Sequence, residues 1–400
     1  MEAFYGGSAK LIYSTYDVAV IGGGIAGAAA VISLAQAGLD VLWLRPEWLA
    51  ESHKVGESLA PAANPILSSL GLSHLIENTN HRRANATFSA WGQEALVERN
   101  SAVHLEGAGN IIDRVKFEHD LFLTASEACT LIIEDNLVSL SEDAGIWQLI
   151  ASKGAQLNAC FVIDATGRAQ VVGKALIQNN KALIKKGIRI DEKAHPDLIK
   201  SETSDHLVAA YCFLTQKENS NVLVTPATLL EAVEDGWWYA SLLPSGSLTL
   251  NYYSDPDLMP KGLATRLDSW LALIQQTKHI AYWLEDAEFV IDAPPQLASA
   301  ATRWLSPAAG INKKAGWAAI GDAAVAFDPL SAHGITTALW AAARAPDFVK
   351  AHFAGNEQVL ADYVCSVEKG RRDYLQQRNN LYCQEKRFQE CEFWKRRCAF

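Results

Sequence analysis

Tyr16-Asp17-Val18-Ala19-Val20-Ile21-Gly22-Gly23-Gly24-Ile25-Ala26-Gly27 is the stretch on which the reading turns. A short apolar run ends in a glycine turn, and an Ala-rich segment of helical character continues through Ala37, with Gly38 as its C-cap. Val41-Leu42-Trp43-Leu44 is then a second buried strand. Strand, glycine turn, helix and strand within about thirty residues make a complete βαβ unit. Gly22, Gly24 and Gly27 spell G-x-G-x-x-G. The first glycine permits the tight turn, and the second lets backbone approach a pyrophosphate. The third lets the helix pack close to the strand, which leaves the diphosphate at a helix N-terminus formed by Ile25 and Ala26. Glycine turns also occur for packing alone, but here the flanking strand and helix both suit a dinucleotide.

An acid holding the adenosine ribose is expected roughly twenty residues further on, at the end of the second strand. Glu47 fits by count, but Pro46 interrupts the strand, and the residue directly after Leu44 is Arg45, which suits a phosphorylated ribose. On this motif FAD and NADP both stand. Ile320-Gly321-Asp322-Ala323-Ala324 separates them, because a Gly-Asp pair after a strand places a carboxylate on a ribitol hydroxyl. The segment from Phe327 to Gly334, containing Pro329 and His333, then runs into a helix. Its backbone N–H groups and helix N-terminus would face the flavin ring and stabilise negative charge on the reduced ring.

With these motifs the chain resembles the flavoprotein aromatic hydroxylases of the p-hydroxybenzoate hydroxylase-like fold. The likeness is carried by GGGIAGAAA from Gly22, VGES from Val55, DATGR from Asp164 and GDAAVAFDPLSAHGI from Gly321. Within that fold the chain is most similar to the group related to flavin-dependent halogenases. The resemblance implies FAD cradled by Gly22, Gly24 and Gly27, with Asp322 on the ribityl side. It also implies a loop Gly56-Glu57-Ser58 near the isoalloxazine, Arg114 at the start of a helix touching the cofactor, and Pro329, Gly334 and Ile335 along the flavin edge.

Halogenases of this group resemble one another in a G-W-x-W-x-I-P segment and a lysine that captures hypohalous acid. The comparable stretch here runs from Gly236 to Pro244, with Tyr239 and Ser241 at the two tryptophan positions. Upstream of Ser89-Ala90-Trp91-Gly92, where the lysine is expected, stand Arg82 and Arg83. A guanidinium stays protonated and is a poor nucleophile, so it does not replace a lysine amine. The variant form, with SAWG, GWWY and the tail Arg387–Arg397, instead resembles flavoproteins that mature quinone-bearing amine and amino-acid oxidases by hydroxylating a tryptophan of a partner protein. The resemblance thus implies an FAD monooxygenase acting on an aromatic ring, with O2 and an electron donor, either NAD(P)H or a separate reductase, and a precursor oxidase as candidate substrate. A halogenase and a flavin reductase or dehydrogenase of the same fold are the alternatives.

In such chemistry the flavin carries the hard step, and the protein excludes water, positions the ring and tunes nearby charge. His333, Lys54 and Glu57 are the candidates for assisting catalysis, Glu57 alternatively holding its loop by hydrogen bonds. Trp91, Trp237, Trp238 and Tyr239 are the candidate walls of a substrate pocket, and Trp394 with the basic run after it is a candidate partner-docking element.

The rest of the chain fits this frame. Of 400 residues 49% are hydrophobic and 20% charged, enough for a large core shared by two or three units. A net charge of −10 argues against a nucleic-acid partner. Seven cysteines without a C-x-x-C pair argue against a zinc site and suggest reduced thiols in a cytoplasmic protein, with no signal peptide or apolar run of membrane-spanning length evident. The fold expected is α/β in its core and α+β overall. A Rossmann-type FAD-binding domain comprises 16–80, 110–180 and 295–345, and an antiparallel-sheet substrate domain 81–109 and 181–294. Residues 1–15 form an N-terminal extension and 346–400 a helical C-terminal segment. Strands are expected at Leu207–Leu214, Val222–Thr225, Trp237–Leu243 and Ser247–Tyr253, with one helix over Thr265–Leu284.

Overall fold

A computed structural model describes residues 14–47, 55–77, 80–84, 86–100, 108–185 and 199–398. The first sheet has at its centre four parallel strands in the order Ala315–Ala319, Gln156–Asp164, Thr15–Ile21 and Val41–Arg45, with Leu131–Glu134 beyond them. Val18–Ile21 and Val41–Leu44 are buried throughout, as a parallel sheet covered on both faces requires. Helices Ile25–Gln36, Arg114–Ala128 and Gly334–Phe353 cover one face, and Trp147, Val172, Leu176 and Trp317 fill the other.

Register decides where the chemistry goes. Ile21 lies opposite Asp164 and Leu44, and Asp164 opposite Ala319. Three strands therefore end level, and the glycine turn, the Asp164–Arg168 segment and Gly321-Asp322 leave the same edge of the sheet. This carboxyl edge is where open α/β sheets bind ligands.

Asp164 is the strut of that edge. Fully buried, it accepts hydrogen bonds from the Thr166 N–H (3.0 Å), the Gly173 N–H (3.0 Å) and the Thr166 hydroxyl (2.6 Å). Asp164→Ala leaves these donors without their acceptor and should cost about 3 kcal/mol, read as a lower denaturant midpoint.

The second sheet runs Val208–Gln216, Leu248–Ser254, Gly236–Leu242, Thr228–Val233, Ala86–Ala90, Val97–Asn100. Strand alternation splits its aromatics. Trp238, Leu250 and Tyr252 face a core with helices Leu267–Ile274 and His279–Asp286, whereas Trp237, Tyr239, Asn251 and Tyr253 face the carboxyl edge of the first sheet.

Three expectations are corrected. Residues 221–227 are irregular and the strand begins at Thr228, because Pro226 lacks the N–H a ladder needs. The helix expected over Thr265–Leu284 is two, Leu267–Ile274 and His279–Asp286, with Thr277 between them accepting the Ala281 N–H at 2.9 Å. The thiols are not all reduced: Cys383 and Cys398, with Cα atoms 5.5 Å apart, form a disulfide joining helices Gln358–Tyr382 and Glu392–Cys398. Among the described residues no helix is long and apolar enough to cross a membrane, and no cluster of His, Cys, Asp or Glu could hold a metal ion.

Candidate active site

Between the carboxyl edge of the first sheet and the aromatic face of the second lies a cleft of about 360 Å³. Two helices open onto it. Helix Ile25–Gln36 starts at Gly24 and helix Gly334–Phe353 at His333, and neither N-cap makes a side-chain hydrogen bond. Their first-turn N–H groups are therefore presented to the cleft, where Gly24, Ile25, Ala26, Gly334 and Ile335 line the wall. The glycine turn is fixed from outside, since the Trp43 indole N–H donates to the Gly22 carbonyl at 2.8 Å and the Gly22 N–H to Leu44 O at 2.9 Å. A Cβ on Gly27 would collide with the Gly22 carbonyl, whereas one on Gly24 would meet no protein atom within 4 Å. Space at Gly24, contact at Gly27 and two uncapped helix ends fit a dinucleotide diphosphate and a ring that gains negative charge on reduction.

The loop Val55–Ser58 forms another wall. The Arg114 guanidinium donates to Gly56 O at 2.6 Å and Val55 O at 3.2 Å, and is tied to Glu118 at 2.7 Å. The Asp113 carboxylate caps that helix by accepting the Lys116 N–H at 3.0 Å. Glu57, 2% exposed, accepts the Gly56 N–H at 3.1 Å and a short hydrogen bond from the Tyr239 hydroxyl. Burial, reinforced by the Glu57 charge, raises the Tyr239 phenol well above its ordinary value. Tyr239 is therefore a neutral donor throughout the usual working range.

Opposite stands Asp322, whose carboxyl is raised by burial and pulled back by the Arg168 and Arg114 charges. Arg168 lies 3.5 Å from Asp322 and donates to Phe327 O at 2.9 Å and to Ala301 O, joining the DATGR segment to the Phe327–Pro329 loop. That loop is held from behind. Asp328, 1% exposed, accepts from Leu330 N–H at 2.9 Å and the Tyr382 hydroxyl at 2.8 Å, while its own N–H donates to Tyr374 at 2.7 Å. Ala332 takes a left-handed φ of 53°, a turn that lets helix Gly334–Phe353 aim its N-terminus inward. His333 sits at the rim of the cleft, its imidazole pushed down by desolvation.

Gly24, Ile25, Ala26, Gly56, Glu57, Ser58, Arg114, Asp322, Pro329, His333, Gly334 and Ile335 thus come together, with Trp237 and Tyr239 across the cleft. Gly22 and Gly27 shape the turn beneath. Arg45 stands behind Gly23, 1% exposed, paired with Glu134 at 3.2 Å and 4.3 Å over the Phe122 ring, while Glu47 is exposed beyond it. Lys54 lies outside the described residues. Two pocket expectations are corrected. Trp238 points to the opposite face, its ring 4.9 Å from Trp270 and tilted by 36°, as strand alternation demands. Trp91 stands behind Trp237, its indole N–H bonded to Leu381 O at 2.8 Å. Trp394 is likewise buried, bonded to Val233 O at 2.9 Å, and Arg397 pairs with Asp255 at 2.7 Å, so the tail packs on its own chain. Sequence reasoning missed Arg168, Asn251 and Tyr253. DATGR signalled the first; the alternation that places Trp237 and Tyr239 on one face would have found the others.

Comparison with known proteins agrees with this geometry. A family model described as "Glucose inhibited division protein A" matches residues 17–211. Fold and cleft define a class: the chain has the fold of flavin-dependent halogenases and hydroxylases. It is similar to the "Putative FAD-dependent oxidoreductase LodB" of Marinomonas mediterranea, 24% identical over 96% of this chain and 98% of that one. Among solved structures it resembles the myxobacterial chondrochloren halogenase CndH (TM-score 0.80, 19% identical, 97% of this chain and 86% of that one). It also resembles QhpG, a peptidyl tryptophan dihydroxylase essential for tryptophylquinone cofactor biogenesis (TM-score 0.72, 21% identical, 96% and 79% covered).

Proposed function

We propose that this FAD-dependent enzyme is a monooxygenase that hydroxylates an aromatic ring, and that the ring is a tryptophan side chain of a partner protein undergoing quinone-cofactor maturation. O2 and reduced flavin are its co-substrates, with electrons from NAD(P)H or a separate reductase, and the cytoplasm is its place of work. The observation that carries oxygenation over halogenation is Arg82. Its guanidinium donates to Pro226 O at 2.9 Å and Leu242 O at 2.6 Å, acting as a strut between segments where a halogenase would present a free amine. The likeness to QhpG, named as a peptidyl tryptophan dihydroxylase, supports the substrate class.

Bound FAD supplies activation of O2 and transfer of oxygen to the ring. The helix N-termini would hold its diphosphate and Asp322 its ribityl chain, while Trp237, stacked at 4.1 Å on Tyr253, would offer a flat wall for the ring. Arg114 and Arg168 bring positive charge to the same cleft. The test is incubation with reductant, ¹⁸O2 and tryptophan-containing precursor protein. A mass gain of one or two ¹⁸O atoms supports the proposal; a halide-dependent gain of chlorine or bromine, or turnover with an electron acceptor under anaerobic conditions, sinks it.

A further inference from the structure

Among the described residues lining the cleft, Asn251 alone holds a buried side-chain polar atom with no partner. The residue is 1% exposed, its Nδ2 donates a long hydrogen bond to Thr249 Oγ1 at 3.3 Å, and its Oδ1 bonds to nothing. An unpaired buried amide oxygen costs about 1–3 kcal/mol, and its persistence calls for a partner that arrives with the ligand. Register places Asn251 directly opposite Tyr239 on one side and Tyr211 on the other. Tyr253, two residues along, shares its face and stacks on Trp237. The amide thus lies within an aromatic wall, on the sheet opposite the glycine turn and the Gly321–Ile335 segment that carry the cofactor features.

We propose that Asn251 Oδ1 accepts a hydrogen bond from the N–H of the aromatic substrate and is the residue that selects an indole over rings without a donor. This rests on the aromatic-ring reading above. An aromatic wall with one unpaired acceptor matches a ring with one N–H, and the weak Thr249 bond lets the amide turn outward to meet it. A site built to bond such a group discriminates strongly against analogues lacking it, because its own polar atom is otherwise left unpaired.

The test uses FAD-loaded full-length protein, with ligand binding followed by perturbation of flavin absorbance. N-acetyltryptophanamide should bind at least about tenfold more tightly than its 1-methylindole analogue. Asn251→Leu, close in size and free of the unpaired amide, should bring the two within threefold of each other and leave FAD affinity unchanged. Asn251→Ala serves the same comparison should the leucine variant misfold. Equal binding of the two probes by the wild type, no binding of either, or discrimination retained in Asn251→Leu overturns the assignment. So does a tenfold loss of FAD affinity in that variant, which would give the amide to the flavin. Discrimination without oxygen incorporation into any ring leaves Asn251 standing and fails the monooxygenase reading, so the two failures are separable.

Discussion

A Gly27→Val protein should carry less than a tenth of the wild-type flavin and unfold at a distinctly lower denaturant concentration. Helix propensity alone predicts the reverse on stability, since glycine within a helix is disfavoured by up to about 1 kcal/mol. The clash decides the sign. A Cβ at Gly27 would meet the Gly22 carbonyl, a backbone atom in a turn held by Trp43 and Leu44, so helix and turn must separate. Overpacking of this kind costs about 1–3 kcal/mol or more. Gly24→Ala is the informative contrast. Gly24 has φ −82°, open to any residue, and its added methyl meets no protein atom within 4 Å. That variant should fold with wild-type stability yet lose at least about tenfold in FAD affinity, because the methyl occupies space left for the ligand. Absorbance at the flavin bands together with equilibrium unfolding separates the two outcomes. Wild-type FAD affinity in Gly24→Ala would remove the diphosphate from this turn.

Why the first half of the site was legible and the second less so follows from range. Gly22, Gly24 and Gly27 lie within one turn, and the strand and helix that flank them are adjacent in sequence. Asp322 and the Pro329–Gly334 segment are again local, a strand end running into a helix. Trp91 and Trp238 were misplaced because their positions depend on which face of the second sheet is covered, and by what. Trp238 meets helix Leu267–Ile274 through Trp270, and Trp91 meets Leu381 nearly three hundred residues away, and neither pairing leaves a local mark. Arg45 looked like a ribose contact by its place after the strand. Its partner, Glu134, comes from the neighbouring strand Leu131–Glu134, which register alone supplies. The Cys383–Cys398 disulfide was hidden for the same reason: it depends on how two helices pack, whereas spacing and count both pointed to free thiols.

Tyr239→Phe is expected to leave the flavin in place and to cut hydroxylated product per flavin reduced by about tenfold or more, with the missing oxygen released as hydrogen peroxide. The phenol is the cross-cleft tie between the second sheet and the Gly56–Ser58 loop, through its short bond to Glu57. Hydrogen bonds to a charged group contribute about 1.5–3 kcal/mol, and removing this donor leaves a carboxylate at 2% exposure with the Gly56 N–H still bonded to it. The loop then loses its fixed distance from Trp237 and Tyr253, and a ring held between them loses its alignment with the oxygen it must receive. A proton-transfer role for Tyr239 itself predicts a different signature. Burial and the Glu57 charge both raise the phenol, so a mechanism needing phenolate would show activity climbing only above pH 10. Positioning predicts a wild-type profile with no such limb and a Tyr239→Phe profile of the same shape, lowered throughout. Glu57→Gln closes the cycle. Its amide can still accept from the Tyr239 hydroxyl, but its NH2 then opposes the Gly56 N–H, two donors face to face. It should therefore loosen the loop as much as Tyr239→Phe does, and the double variant should be little worse than either alone. Additive losses would mean that the two residues act separately and that the tie is not what couples them.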